Sequence, residues 1–243
     1  MSTAGDHSDD RGDQRDAVIA ACRELARRGL VHGTSGNVSL RRDQARFFVS
    51  PSGLAYELLQ REDIPLMDLD GRWFGRRRPS SEWRFHRDIL GVRRDVGAIV
   101  HTHSRAATGL ACTGRGIPSF HYMVAVAGGA DIRCAPYHGF GTQALSDAAL
   151  AALEGRMACL LANHGVIALG ADLPAALALA EEVENLAAQY RAALDFGDVH
   201  LLDEAEMRRV VEKFRTYGKP DAPDAELVFG GAAQPCGSGA REP

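Results

Sequence analysis

IPLMDLDGRWF, residues 64 to 74, decides what kind of sheet this chain builds. Asp70-Gly71 divides two short apolar runs, and that dipeptide suits a tight hairpin turn because its backbone tolerates positive φ. A hairpin pairs its two strands antiparallel. Working outward, NVSLR at 37 to 41 and RFFVS at 46 to 50 predict a second hairpin just ahead of it. GAIVH at 97 to 101 reads as a buried strand, and ACLLAN with GVIALG at 158 to 170 predict two more. Helical stretches fall among these strands without the regular strand-helix-strand alternation of a parallel sheet. The expected fold is therefore α/β, a three-layer αβα arrangement in which a mixed, mostly antiparallel central sheet is flanked by helices.

The flanking helices show as apolar steps of three and four. Val18, Cys22 and Leu25 predict a first helix that stops at Gly29. Ser81 to about Leu90 predicts another. Leu173, Leu177, Ala180, Val183, Ala187, Tyr190 and Leu194 make a long stripe of about six turns, and a final helix covers about 203 to 216.

The chain has 243 residues and 45% apolar content, enough for one domain, placed at residues 15 to 218. Residues 1 to 14 and 219 to 243, rich in Gly, Pro, Ala and charge, are expected to be flexible tails. A net charge of -4 argues against a nucleic-acid partner, which favours a basic face. The one basic cluster, Arg76 to Arg78, reads as a solvated turn, with phosphate steering as the other reading. Five scattered cysteines without a C-x-x-C pair argue against a disulfide framework or a structural zinc knot, and fit a reducing cytoplasm. The first residues lack the apolar core of a signal peptide, and no apolar run is long enough to span a membrane.

In IVHTHS, residues 99 to 104, the two-residue period of a strand puts His101 and His103 on one face with Thr102 opposite. His164, in LLANHGVIALG, stands at the end of another strand. Together with Glu82 of PSSEWRFH, these histidines form a nitrogen and oxygen donor set that zinc or a similar divalent metal accepts. His86, four residues after Glu82 on the same helix face, is a rival ligand. Three loops of small residues lie near them: GTSGN at 33 to 37, SPSG at 50 to 53 and PSSE at 79 to 82. Their hydroxyls, the Asn37 amide and N–H groups freed by Gly36 and Gly53 can converge on phosphate oxygens. Ser80 and Ser81 stand at a helix start, which attracts an anion. No G-x-G-x-x-G follows a strand, so a dinucleotide site lacks support.

Read in order, GTSGNVS, SPSG, PSSEWRFH, HTH, HYMVAVAGG, CAPYHGFGT, NHG and EKFRTYG resemble the class II aldolase/adducin family, and most of all its branch acting on L-fuculose 1-phosphate. The resemblance implies a homotetramer with active sites between neighbouring subunits. It also implies one Zn2+ per subunit, with Mn2+ or Co2+ as alternatives, held by His101, His103, His164 and Glu82. In the family this glutamate leaves the metal when substrate binds and serves as acid and base. The phosphate residues implied are Thr34, Gly36, Asn37, Ser52, Gly53, Ser80 and Ser81. Tyr122 matches a tyrosine that a neighbouring subunit presents as a proton donor, while Phe140, Phe214 and Tyr217 match the aldehyde side of the pocket.

The activity so implied is cleavage of a ketose 1-phosphate to dihydroxyacetone phosphate and an aldehyde. A Schiff-base lysine is not required, and the only lysines are Lys213 and Lys219. His138 and Gly139 depart from the fuculose pattern, which would admit a 5-deoxy or 5-methylthio pentulose 1-phosphate in place of L-fuculose 1-phosphate. An L-ribulose-5-phosphate 4-epimerase, a methylthioribulose-1-phosphate dehydratase and a non-catalytic adducin-like module are the alternatives. Against the epimerase stands Glu82, where that motif resembles PSSD.

Overall fold

The computed structural model describes residues 10–216. Eight strands form one sheet: β1 (Asn37–Arg41), β2 (Arg46–Val49), β3 (Leu66–Asp68), β4 (Trp73–Phe74), β5 (Ala98–Thr102), β6 (Arg133–Ala135), β7 (Ala158–Leu161) and β8 (Gly165–Gly170). Their order is β4-β3-β2-β1-β5-β8-β7-β6. Every neighbouring pair is antiparallel except β6 with β7. The expected mostly antiparallel sheet is found, and the turn around Asp70-Gly71 does join the antiparallel strands β3 and β4.

Six helices cover the two faces: α1 (Asp10–Arg27), α2 (Trp83–Val92), α3 (Arg105–Ala111), α4 (Gln143–Ala152), α5 (Leu173–Phe196) and α6 (Glu204–Thr216). The start of α1 lies inside the stretch that the sequence reading set aside as a tail; residues 1–9 and 217–243 lie outside the described residues. Strand alternation sorts the core in two. Val38, Ala98, Val100, Val166 and Ala168 pack with Cys22 and Leu25 of α1, Ala107 of α3 and Val183 of α5. Phe47, Val49, Ile99, Ile167 and Leu169 pack on the other face with Phe85 and Ile89 of α2 and Leu145 and Ala149 of α4. These are the three layers. Truncating a fully buried anchor such as Phe85 to Ala would cost about 3–5 kcal/mol.

The helix ends have local causes. Asp172 accepts from Ala175 N at 2.8 Å to start α5, followed by Pro174 in the first turn. Thr142 accepts from Leu145 N at 3.2 Å to start α4. Arg41, from β1, donates to Leu90 O, Arg93 O and Val96 O and so ties the far end of α2 to the sheet. Helices α3 and α4, strand β6 and the 3-10 helix Tyr122–Ala127 have no counterpart in the sequence reading.

Candidate active site

The site forms where the ends of β1 and β5, the hairpin between β7 and β8, and the first turn of α2 meet. Register places Asn37 directly opposite His101 across β1 and β5. Both residues share the parity of Ile99, so both face α2 rather than α5. His103 lies two residues on, where β5 runs out. At the hairpin, Asn163 takes a left-handed backbone with φ 55 and His164 follows it. Gly165 cannot be larger: a Cβ there would collide with the Thr102 carbonyl and come within 3.0 Å of the His103 ring and 3.3 Å of the His101 ring. Gly36 is constrained similarly, since at φ 84 a Cβ would stand 2.7 Å from the His101 carbonyl oxygen.

Glu82 occupies the cap position of α2, its own N–H donating to Ser80 Oγ at 3.3 Å. One donor atom from each of Glu82, His101, His103 and His164 lies within 4.8 Å of the others. The three imidazoles meet edge to face, with ring centres 4.8 to 4.9 Å apart. His101 Nε2 is 2.9 Å from His103 Nε2 and 3.2 Å from Glu82 Oε2, and His164 Nε2 is 3.0 Å from Glu82 Oε1.

The protons on these rings show what the cluster is built to hold. His101 Nδ1 is 2.8 Å from the carbonyl oxygen of Val166, which only accepts, so Nδ1 carries hydrogen and a ring with hydrogen there alone turns its Nε2 lone pair inward. That lone pair then faces a carboxylate oxygen and a second imidazole. Glu82 Oε1 is buried without a hydrogen bond, although His164 Nε2 is its neighbour. Converging lone pairs repel one another unless a cation lies between them, so the residues fit a divalent metal. Burial, and then the neighbouring imidazoles of His101 and His164, push His103 down to about 4, leaving it neutral and able to ligate. Burial alone would raise the Glu82 carboxyl; His101 and His164 outweigh it and hold the group well below the usual carboxylate range only when they carry protons, the positive charge that a bound cation supplies in their place.

His86 does not join the cluster. Its Nδ1 is 2.7 Å from Ser39 Oγ and its Nε2 is 2.5 Å from Asn37 Oδ1, so both nitrogens are engaged. Asn37 in turn donates from Nδ2 to Glu82 Oε2 at 3.0 Å.

Above the cluster opens a cavity of about 260 Å3. Thr34, Gly36, Asn37, Ser52 and Gly53 line it from the β1 side, and Ser80, Ser81 and Glu82 from the start of α2. Every residue of the expected phosphate set is therefore gathered on one cavity that His103 and His164 also reach. Ser52 N donates to the Arg78 carbonyl, which anchors the middle loop against the basic turn. Phe140 lines the same cavity. Tyr122 and Phe214 do not: they stack with rings 6° from parallel on a separate cavity of about 720 Å3 with Leu202 and Val210. Tyr217 lies outside the described residues.

Tyr137 and Asn163 also line the active cavity and were not singled out from the sequence; His138, noted there only as a departure, joins them. An aromatic directly after Pro136 and two residues before Gly139 in APYHGFGT was the available signal for Tyr137, and for Asn163 it was an asparagine, a residue that tolerates left-handed backbone, between two strand runs.

Two further features bear on setting. Among the described residues no helix is long and apolar enough to cross a membrane. Cys22, Cys112, Cys134 and Cys159 are all free thiols.

Comparison with known proteins places these observations among relatives. The family described as Class II Aldolase and Adducin N-terminal domain is matched over residues 16–191. A 5-methylthioribulose-1-phosphate/5-deoxyribulose-1-phosphate aldolase of Rhodospirillum rubrum is 54% identical over 204 residues, covering 84% of this chain and 92% of that protein. An L-fuculose phosphate aldolase of Escherichia coli is 45% identical over 202 residues, 83% of this chain and 94% of that protein. Among solved structures, an L-fuculose 1-phosphate aldolase superposes with a TM-score of 0.81 at 40% identity, covering 84% of this chain and 96% of that one.

Proposed function

The chain belongs to the class II aldolase and adducin family, and on that premise we propose that it cleaves a ketose 1-phosphate with a short deoxy or methylthio tail, giving dihydroxyacetone phosphate and an aldehyde. It is an enzyme of the aldolase class, a lyase. The observation that carries the reading is the junction of the Glu82, His101, His103 and His164 donor set with a cavity rich in hydroxyl groups. The choice of a 5-methylthio or 5-deoxy pentulose 1-phosphate over L-fuculose 1-phosphate draws on the relative at 54% identity and on Tyr137, His138 and Phe140 at the cavity wall.

In this reading Zn2+, held by the three histidines and Glu82, supplies Lewis-acid stabilisation of the negative charge that develops on substrate oxygens. Thr34, Ser52, Ser80 and Ser81 take the phosphate through their hydroxyls, with the backbone of Gly36 and Gly53 closing the loops. The C–C bond breaks with its electron pair left on the donor carbon, and Glu82, first protonated from solvent, delivers that proton to the carbon through Oε1, the oxygen free of hydrogen bonds. The proton of the hydroxyl on the aldehyde side passes out through Tyr122. Phe140 and Phe214 flank the departing aldehyde, the side to which the family resemblance also assigns Tyr217.

Tyr122 is 51% exposed and lines a different cavity from Glu82, which supports a homotetramer in which a neighbouring copy presents Tyr122 and Phe214 to the site. A cytoplasmic setting agrees with the free thiols among the described residues.

The test is dihydroxyacetone phosphate release from 5-methylthioribulose 1-phosphate, 5-deoxyribulose 1-phosphate, L-fuculose 1-phosphate and L-rhamnulose 1-phosphate, each with and without chelator. Chelator-sensitive release, fastest with the first two, is expected. No release from metal-loaded protein with any of the four overturns the aldolase reading, and preference for L-fuculose 1-phosphate overturns the choice of tail.

A further inference from the structure

His86 is fully buried on α2, one turn beyond Glu82, and the chemistry above does not use it. Its neighbours admit one arrangement of protons. Glu82 Oε2 is a carboxylate oxygen and only accepts, so the Asn37 atom 3.0 Å away from it is the amide nitrogen. The Asn37 oxygen is then the atom facing His86 Nε2 at 2.5 Å, and because it too only accepts, Nε2 carries a hydrogen. A neutral ring leaves Nδ1 as an acceptor, which takes the Ser39 hydroxyl at 2.7 Å. Ser39, Asn37, His86 and Glu82 are all buried, so water does not compete for these bonds.

We infer that Ser39 and His86 are positioning residues for Glu82. Ser39 donates to His86 Nδ1 and holds the ring in place, the His86 Nε2 hydrogen helps set which way round the Asn37 amide sits, and Asn37 holds Oε2 so that Oε1 remains the free oxygen. The inference rests on the acid and base role of Glu82 proposed above. Its physical core is that the two ends of an amide are nearly alike in shape and differ only in what they bond. Without an N–H at the His86 Nε2 position the Asn37 oxygen loses its donor and the carboxylate alone holds the amide, so a flipped amide, which turns its oxygen on the carboxylate, costs less than before. Repulsion between two acceptors in a buried site then displaces Glu82. Ser39, Asn37 and His101 share one sheet face and α2 docks on it, so the relay depends on the same packing that assembles the cluster.

Three variants of the full-length holoenzyme test this: His86→Leu, which keeps bulk without a donor; His86→Gln, whose amide nitrogen reaches the Nε2 position; and the milder Ser39→Ala. The expected result is a kcat about 10–100-fold lower in His86→Leu, KM little changed, and most of the loss recovered in His86→Gln. Ser39→Ala should lose several-fold in kcat. Chelator should strip metal faster from His86→Leu than from His86→Gln, a readout independent of turnover. Nitrogen NMR of the wild-type holoenzyme should find His86 protonated on Nε2 alone. Equal losses in the Leu and Gln variants, a change confined to KM, or hydrogen on Nδ1 overturns the inference. If His86→Leu fails to fold, Ser39→Ala and the tautomer decide. A wild-type protein that cleaves no substrate fails the reading of function instead, and the tautomer and chelator rates still decide the relay.

Discussion

Asn37 and His101 stand opposite each other on the antiparallel pair of β1 and β5, both facing α2. A slip of one residue would bring Val38 to this position and turn Asn37 to the α5 face, because side chains alternate along a strand. Sheet register and site geometry are thus one specification, and Glu82, bonded to Asn37 and beside His101, sits where both act on it.

Glu82→Gln keeps the shape of the side chain and removes its basicity. Release of dihydroxyacetone phosphate should fall by about 100–10,000-fold in a coupled assay, with the fold intact by circular dichroism. Activity within a few-fold of wild type would remove Glu82 from the proton transfer.

Stripping the metal should abolish activity and also lower the melting temperature, since a ligand that binds only the folded state stabilises it by about 2.7 kcal/mol at a hundredfold excess over its Kd. Adding back Zn2+ should restore both, and Co2+ or Mn2+ should restore activity in part. Scanning calorimetry before and after chelation checks this; an unchanged melting temperature together with unchanged activity would dismiss the metal.

Glu82→Gln and Tyr122→Phe proteins should each be weakly active alone. Unfolded together and refolded as a mixture, they should regain part of the wild-type rate, because some sites in mixed assemblies pair an intact Glu82 with an intact Tyr122. No gain on mixing would mean that both residues serve a site within one chain, or that Tyr122 is outside the chemistry.

Asn163, at φ 55, holds the turn that leads into His164. Asn163→Gly should keep that turn, whereas Asn163→Ala should cost about 1 kcal/mol or more and weaken metal binding as His164 shifts. Urea unfolding and metal titration of the two variants would separate them, and equal behaviour would show that the backbone does not need the left-handed region.

His86 predicts the acid limb of stability. Burial, and then the nearby His101, push it down to about 3, against about 6.5 for a free imidazole. Below about 6.5 the unfolded chain takes a proton that the folded protein refuses, so stability is full above that pH and falls as pH drops toward about 3. The slope from this group approaches about 1.4 kcal/mol per pH unit. His86→Gln should flatten the loss between pH 7 and 5 measured by urea unfolding; parallel curves would contradict the burial argument.

Much of this was legible in the chain. Asp70-Gly71 declared its hairpin, the steps from Leu173 to Leu194 declared α5, and the parity of His101 with His103 followed from strand geometry. Strand β6 has three residues and α3 seven with a glycine among them, too short for a period to show. The parallel pairing of β6 with β7 is a long-range choice, and α4 needed its Thr142 cap to be read as a helix start.

The sequence by itself determined the donor residues, the hydroxyl-rich loops and the face that each strand residue presents, because those follow from side-chain chemistry and from periods of two and 3.6 residues. Tertiary structure alone decided that Asn37 would serve Glu82 from 45 residues away, that His86 would turn both nitrogens to other partners, and that Tyr122 would open on a separate cavity. Those outcomes depend on register and on how α2 docks on the sheet, and neither leaves a local trace, since a contact between distant residues is chosen by the packing of the whole core.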